Sequence, residues 1–315
     1  MNYEFQSHFS GRIKAMLEYR SALGRSVEGD SWNLANFDRF CLRQFPDESS
    51  LTKDLAFAWC NDSRGSHRAH TIRGFSKYLI SIGEDAFLMP PTFFPTRKAD
   101  LPYILSETEL QNFFAATDRH PSAYNSPLLE YTIPVVFRLQ FACGLRPQEV
   151  RLLKRTDFNF TNDTIYISEA KHCKDRRLAV NSGVMEMCKK YDRIVEAVIP
   201  NRIYFFQSPN GGAFKTGWLI ARFHKCWELS GNGHTRGPCV PYDLRHNYAT
   251  RTLMRWIEEG KDLNVWIPYL TAYMGHATFS STFYYVHLLP ERLSQMDFTC
   301  VKGVIPEVGY EEETE

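Results

Sequence analysis

Three separated segments carry the residue types that attack on a phosphodiester by a protein hydroxyl requires. Gly144-Leu145-Arg146-Pro147-Gln148-Glu149 and Asp243-Leu244-Arg245-His246 each supply an arginine, and Gly275-His276 through Tyr284-Tyr285 supplies an imidazole and two phenols. Lys171 and Lys174 lie between the first two segments. Arginine presents a planar fork that matches phosphate oxygens and stays charged at any working pH. Two of them, Arg146 and Arg245, can clamp the non-bridging oxygens and oppose the charge that gathers in the transition state. A lysine can protonate a leaving alkoxide, a histidine can donate to phosphate or move a proton, and a tyrosine hydroxyl can attack.

Each residue also has a plainer reading. A lone arginine more often ends in a surface salt bridge, and a turn lysine is usually only solvated. Arg146 and Arg245, however, stand among apolar neighbours (Cys143 and Leu145; Leu244 and Tyr248), so both are expected on partly buried helix starts. A buried guanidinium is costly without a partner. Glu149, one helical turn after Arg146, is one candidate partner and an anionic ligand is the other. Tyr284 and Tyr285 compete as nucleophile, because one step along a helix turns a side chain by about 100°. His246, next to Arg245, is expected to point elsewhere and to be structural, whereas His234 in the Gly231-Asn232-Gly233 loop stays open as a second histidine for the site.

These side chains need positioning elements. Tyr131 to Phe141 is apolar and reads as a buried helix leading to Arg146, and Arg146 to Lys154 is helical in pattern with Val150 and Leu153 inward. Thr164–Ser168 and Arg177–Val180 read as strands, and residues 170–176 form the Lys/His/Asp-rich turn between them. Helices are expected over Gly183–Val198, Thr216–Leu229, Leu244–Trp256, Leu263–Met274 and Ser280–Leu288. Ser106 and Glu109 form a capping signal for a helix through Phe113 and Phe114.

The N-terminal part reads differently. Phe9, Ile13, Met16, Leu17 and Tyr19 through Leu23 recur near helical spacing, as do Leu34, Phe37, Phe40, Cys41 and Phe45. Ser50 is placed to cap a third helix. Arg68 to Ile82 puts Ile72, Phe75, Leu79 and Ile80 on one face and Arg64, Arg68, Arg73 and Lys77 alongside, with Gly83 at its end. The arginines and Lys77 are expected to face nucleic acid. Met89 to Lys98 holds three prolines, which block helix and favour a stiff extended connection with Arg97 and Lys98 lying against phosphate. The expected organisation is a helical domain over 1–90, a Pro-rich linker over 91–103, a second domain over 104–295 and an acidic tail over 296–315. The fold class is mainly α with a small antiparallel β-sheet.

The bulk composition sets further limits. The chain has 315 residues, 43% hydrophobic and 23% charged, with no apolar run long enough to cross a membrane and no leader-like N-terminus. Its eight cysteines include no Cys-x-x-Cys pair or zinc-type ladder, so reduced buried thiols in a cytoplasmic protein are expected. A net charge of +1 argues weakly against a nucleic-acid partner. The tail from Asp297 onward carries −5, however, so residues 1–296 hold +6.

From about Ser106 to Pro290 the chain resembles the tyrosine recombinases, also called the phage integrase family. Ala142–Val150 is similar to the family's first arginine motif, with Asp157 as the aspartate that follows it, and Lys171–Val180 is similar to its lysine hairpin. Asp243–Thr250 resembles the second arginine box, and Met274-Gly275-His276 with the segment ending at Tyr285 resembles the terminal box. The resemblance implies catalytic roles for Arg146, Lys171, Arg245, His276 and Tyr285, with Glu149 and Tyr242 in support. Its spacing selects Tyr285 over Tyr284 and Lys171 over Lys174. It implies a 3′-phosphotyrosyl intermediate with no cofactor, neither ATP nor metal ion. It further implies a clamp of two domains on double-stranded DNA, a homotetramer on synapsed sites, and a place on the nucleoid as an integrase or the transposase of a mobile element. One position departs from the pattern: Tyr242 stands where the family usually has histidine, three residues before the second arginine. The rival readings are a disabled DNA-binding relative and a type IB topoisomerase-like cleaver. Loss of function usually removes the tyrosine or an arginine, and all of these are present.

Overall fold

The computed structural model describes residues 3–25, 27–62, 66–93, 101–122, 126, 128–168, 175–233, 239–276, 278, 282, 284 and 285. The chain divides into two compact units, Met1–Asp100 and Leu101–Glu315.

The first unit packs helices α1 (Ser10–Ala22), α2 (Glu28–Gln44), α3 (Lys53–Asp62) and α4 (Ser66–Ser81) around an aromatic centre. Phe9, Ile13 and Met16 recur at i, i+4, i+7, as Ile72, Phe75 and Leu79 do at i, i+3, i+7, and all six are buried. Phe37 lies 5.5 Å from Phe9 and 5.3 Å from Trp59, edge-on to the indole. Three expectations change here. Tyr19, Leu23 and Ile80 point outward, at 56%, 50% and 47% exposure, because α1 and α4 each bury a single stripe. Ser50 does not cap α3; its hydroxyl donates to Glu48, and Thr52 instead accepts from the Leu55 N–H at 3.4 Å. Phe93, assigned to the linker, stacks edge-on against Phe57 at 4.5 Å and so belongs to this unit's packing.

In the second unit, Ser106 and Glu109 form a reciprocal capping box that opens α5 (Glu107–Asp118). The buried helix α6 (Leu129–Ala142) packs against α5, and Phe113, Phe137, Phe223 and Trp227 share one cluster. The short α7 (Pro147–Leu152) follows, with proline at its first position where no N–H is missed. It is shorter than the sequence pattern predicts because Arg146 and Leu153 are both extended.

The strands β1 (Phe158–Asn159), β2 (Thr164–Ile167) and β3 (Arg176–Ala179) form one antiparallel sheet in the order β1-β2-β3. The two-residue β1 carried too little pattern to be foreseen. Ile165 faces Leu178 across the pair, and both are buried. Strand alternation then puts Arg176 on the same face as Leu178 and turns Arg177 outward. Four helices complete the unit: α8 (Ser182–Val198), α9 (Thr216–Leu229), α10 (Asp243–Glu258) and α11 (Leu263–Met274). The last two share a separate apolar cluster of Leu253, Trp256, Ile267, Leu270 and Met274, which Tyr285 joins. Of the expected helix Ser280–Leu288, the described residues Thr282, Tyr284 and Tyr285 are helical.

Among the described residues no helix is long and apolar enough to cross a membrane. The six described cysteines are free and buried, and no His/Cys/Asp/Glu group there could hold a metal ion.

Candidate active site

The end of α6 sets the first arginine. Gly144 adopts φ +58, a left-handed turn that an added Cβ would obstruct at 2.4 Å from the Tyr248 ring. The chain then extends through Arg146 into α7. Glu149, in the first turn of α7, reaches back to accept the Arg146 N–H at 2.9 Å and its Nη1 at 2.5 Å. Arg146 Nη2 donates to the Gly275 carbonyl at 2.6 Å.

Arg245 sits in the first turn of α10 with no solvent exposure. Its Nη1 donates to the Gly144 carbonyl and its Nη2 to the Met274 carbonyl, both at 2.7 Å. The start of α10 is itself pinned: buried Asp243 accepts the N–H groups of Tyr103 at 3.2 Å and Val240 at 2.8 Å. Burial, then the charge of Arg146, pushes the Arg245 guanidinium below its ordinary value.

At the end of α11, Gly275 turns left-handed at φ +64, and the His276 N–H closes back on the Thr271 carbonyl at 3.0 Å. This helix-ending turn delivers His276 to the cluster. Its Nδ1 lies 2.7 Å from the Thr282 hydroxyl. Burial, then Arg245, Arg146 and Arg176, holds its pKa down at about 3, so the imidazole is neutral.

Tyr285 is 2% exposed and its ring stacks on His276 at 6.0 Å with 18° between planes. Burial, only partly offset by Arg245, pushes its phenol up to about 12. Tyr284 points instead into a half-buried position beside the α10–α11 cluster.

Two members of this cluster were not foreseen. Arg176, from β3, donates through Nη1 and Nη2 to both Glu149 oxygens at 3.0 and 2.9 Å and through Nε to the Tyr273 carbonyl at 2.8 Å. A Cβ on Gly275 would meet Arg176 Nη1 at 2.8 Å. Period-2 alternation in β3 was the available signal, since it sends Arg176 inward. His246 corrects the expectation that it points elsewhere: its Nδ1 lies 3.1 Å from the Tyr285 hydroxyl. Burial, then Arg245, holds His246 at about 4.

Tyr242 stands at the start of α10, 38% exposed, with its ring 4.9 Å from that of His246. Lys171, Lys174 and His234 lie outside the described residues, as do Arg64, Arg97, Lys98 and the tail over 296–315. In the first unit, half-buried Arg68 and Arg73 each spend donors on the protein itself. Arg68 bonds the Trp59 carbonyl at 2.6 Å and Asp62 at 3.0 Å, and Arg73 bonds the Met89 and Pro90 carbonyls at 2.9 and 2.7 Å. These acceptors are carbonyls near the end of α3 and in the loop after α4. Lys77 is exposed.

The described cluster holds three guanidiniums and one carboxylate. Burial raises the Glu149 pKa, but Arg176 and then Arg146 outweigh it and hold it at about 2. With both imidazoles neutral, two positive charges are left over beside a buried phenol. Such a site favours an anion with several oxygens.

The sequence profile of the phage integrase family matches residues 104–292. A Sinorhizobium fredii protein named integrase/recombinase y4rE is 28% identical over 291 residues, covering 90% of this chain and 92% of that protein. Tyrosine recombinase XerD of Rickettsia bellii is 26% identical over 313 residues, covering 93% and 96%. Among solved structures, XerH site-specific recombinase in a post-cleavage complex with a palindromic difH substrate superposes with a TM-score of 0.59 at 18% identity. That match covers 90% of this chain and 82% of XerH.

Proposed function

Because the chain belongs to the phage integrase family of tyrosine recombinases, we propose that it is a site-specific DNA recombinase that cuts and rejoins strands through Tyr285. The observation that carries this reading is the placement of a buried phenol against two imidazoles in a cluster with two uncompensated guanidinium charges. Arg146 and Arg245 hold the scissile phosphate. The Tyr285 oxygen attacks phosphorus and forms a 3′-phosphotyrosyl bond, and the 5′ oxygen leaves with a proton from Lys171. His276, neutral in the free protein, donates to a non-bridging oxygen. The energy of the broken phosphodiester is kept in the protein–DNA bond, so a 5′-hydroxyl from a second strand can reverse the step. Exchange between two duplexes involves four strands, hence four protomers, each cutting one. The first unit serves as a DNA clamp, with exposed Lys77 among its phosphate contacts. The element that such an enzyme mobilises is an integrating or transposing one.

A nicked suicide duplex built from DNA flanking the protein's own gene tests this reading. The protein is incubated with it in EDTA and resolved on a denaturing gel. A covalent adduct that disappears in Tyr285→Phe, with DNA binding retained, is expected. Binding without an adduct would make the protein a DNA-binding relative with a disabled site. An adduct that survives Tyr285→Phe and is lost in Tyr284→Phe would move the nucleophile.

A further inference from the structure

We propose that His246 is a catalytic residue, the base that takes the Tyr285 proton through Nδ1 as the phenol oxygen attacks phosphorus. The assignment rests on the strand-cleavage reading above and names a group that reading leaves open. It stands first on geometry. The Tyr285 hydroxyl lies 3.1 Å from His246 Nδ1, within proton-transfer reach. The other groups around the phenol are poorly suited to accept. Arg245 remains protonated. His276 meets the phenol through its ring face, and its Nδ1 is engaged with Thr282 at 2.7 Å. Tyr242 is itself a phenol, 4.9 Å from the His246 ring.

The electrostatics agree with the geometry. A phenol held at about 12 does not ionise unaided near neutral pH, so attack needs a base. His246, held at about 4, is neutral there, and the tautomer with its proton on Nε2 offers the Nδ1 lone pair to the phenol. Burial and the Arg245 charge make it a weak base in the free protein. A phosphodiester bound at Arg146 and Arg245 cancels part of that charge, so the imidazole gains proton affinity when substrate is in place. Growing negative charge on the pentacoordinate phosphorus raises it again.

The step balances as follows. In cleavage the Tyr285 oxygen–phosphorus bond forms and the phosphorus–O5′ bond breaks. The phenol proton moves to His246 Nδ1, giving imidazolium, and O5′ takes a proton from the general acid, Lys171. In rejoining, a 5′-hydroxyl forms the new bond to phosphorus, the tyrosyl–phosphorus bond breaks, and the imidazolium returns its proton to the phenol.

The test compares His246→Ala and His246→Asn with the unaltered chain in single-turnover cleavage of the suicide duplex. Gel-shift affinity and the urea midpoint serve as checks on folding. Asparagine can place a hydrogen-bonding atom near the Nδ1 position but cannot carry the proton. Both variants are expected to cleave about 10²–10⁴-fold more slowly, the usual contribution of a positioned base. The deficit is expected to persist on a 5′-bridging phosphorothiolate, whose sulfur leaves without a proton, and the variants' rates should climb with pH as hydroxide replaces the base. Near-normal cleavage by His246→Asn would reduce His246 to a positioning residue and overturn the proposal. Recovery of His246→Ala on the phosphorothiolate would place it on the leaving-group side and overturn it equally. If the unaltered chain forms no adduct, the recombinase reading fails. If it does and His246→Ala matches its rate, only the assignment of His246 falls.

Discussion

Arg176 grips Glu149 by both oxygens, Nη1 to Oε1 at 3.0 Å and Nη2 to Oε2 at 2.9 Å, with the Arg176 side chain 9% exposed. The pair joins β3 to α7, the helix that Arg146 precedes. A single carboxylate thus fixes two arginines from different parts of the chain. Arg176→Met leaves Glu149 with half its partners and is expected to cost about 3–5 kcal/mol, the range for breaking a buried ion pair. Arg176→Lys keeps the charge but loses the fork and should fall between. Urea midpoints would register the stability change. Cleavage at a temperature where both variants are folded should drop more for methionine than for lysine. Equal midpoints for all three proteins would refute the bridging role.

Glu149 also makes stability depend on acid. Its folded pKa is held at about 2 against an ordinary 4.5. The depressed value means that the carboxylate's contribution is complete above pH 4.5 and is lost as pH falls towards 2. Two and a half units correspond to about 3 kcal/mol. Glu149→Gln should therefore be less stable than the unaltered chain at pH 6, and the gap should narrow at pH 3.5. A gap that stays constant between the two pH values would contradict the assignment.

Gly144 and Gly83 separate two kinds of glycine. Both have positive φ, +58 and +86, but a Cβ at Gly144 meets Tyr248 at 2.4 Å while Gly83 has open space. Gly83→Ala carries only backbone strain, about 1 kcal/mol. Gly144→Ala adds a steric clash and moves the carbonyl that accepts from Arg245. It should lose at least 2 kcal/mol more than Gly83→Ala, with a fall in cleavage that Gly83→Ala does not share. Thermal melts and adduct yield would decide.

Tyr242→His places an imidazole one helical turn before His246, where the two rings now lie 4.9 Å apart. Alone it should keep or raise cleavage. In a His246→Ala background it should restore at least tenfold, because a second base then borders the phenol. A folded double variant as slow as His246→Ala alone would show that position 242 cannot reach the Tyr285 oxygen.

Local patterns carried much of this architecture in the sequence. Thr216–Leu229 and Leu263–Met274 have the bounds that their helical spacing predicts, and Ser106 with Glu109 forms the capping box that their separation implies. Arg146 and Arg245 are both held against backbone carbonyls and Glu149, as apolar flanks and a nearby acid suggest. What escaped depended on distant chain. His246 was read from its helix alone, which says where it leaves the axis but not that residue 285 returns to meet it. Arg68 and Arg73 were expected to face nucleic acid, and their bonds to the carbonyls of Trp59, Met89 and Pro90 involve chain that no helical wheel includes.

The carbonyls around the site have one more consequence. Gly144, Tyr273, Met274 and Gly275 each accept from a guanidinium, so three long side chains are already immobilised before any phosphate arrives. Freezing such a side chain at the moment of association costs about 0.5–1.5 kcal/mol. Here that loss of conformational entropy falls on folding, and association with DNA meets a rigid receptor. Affinity for the scissile phosphate should consequently depend little on the ordering of the arginines and much on how readily the buried phenol and its imidazoles give it room.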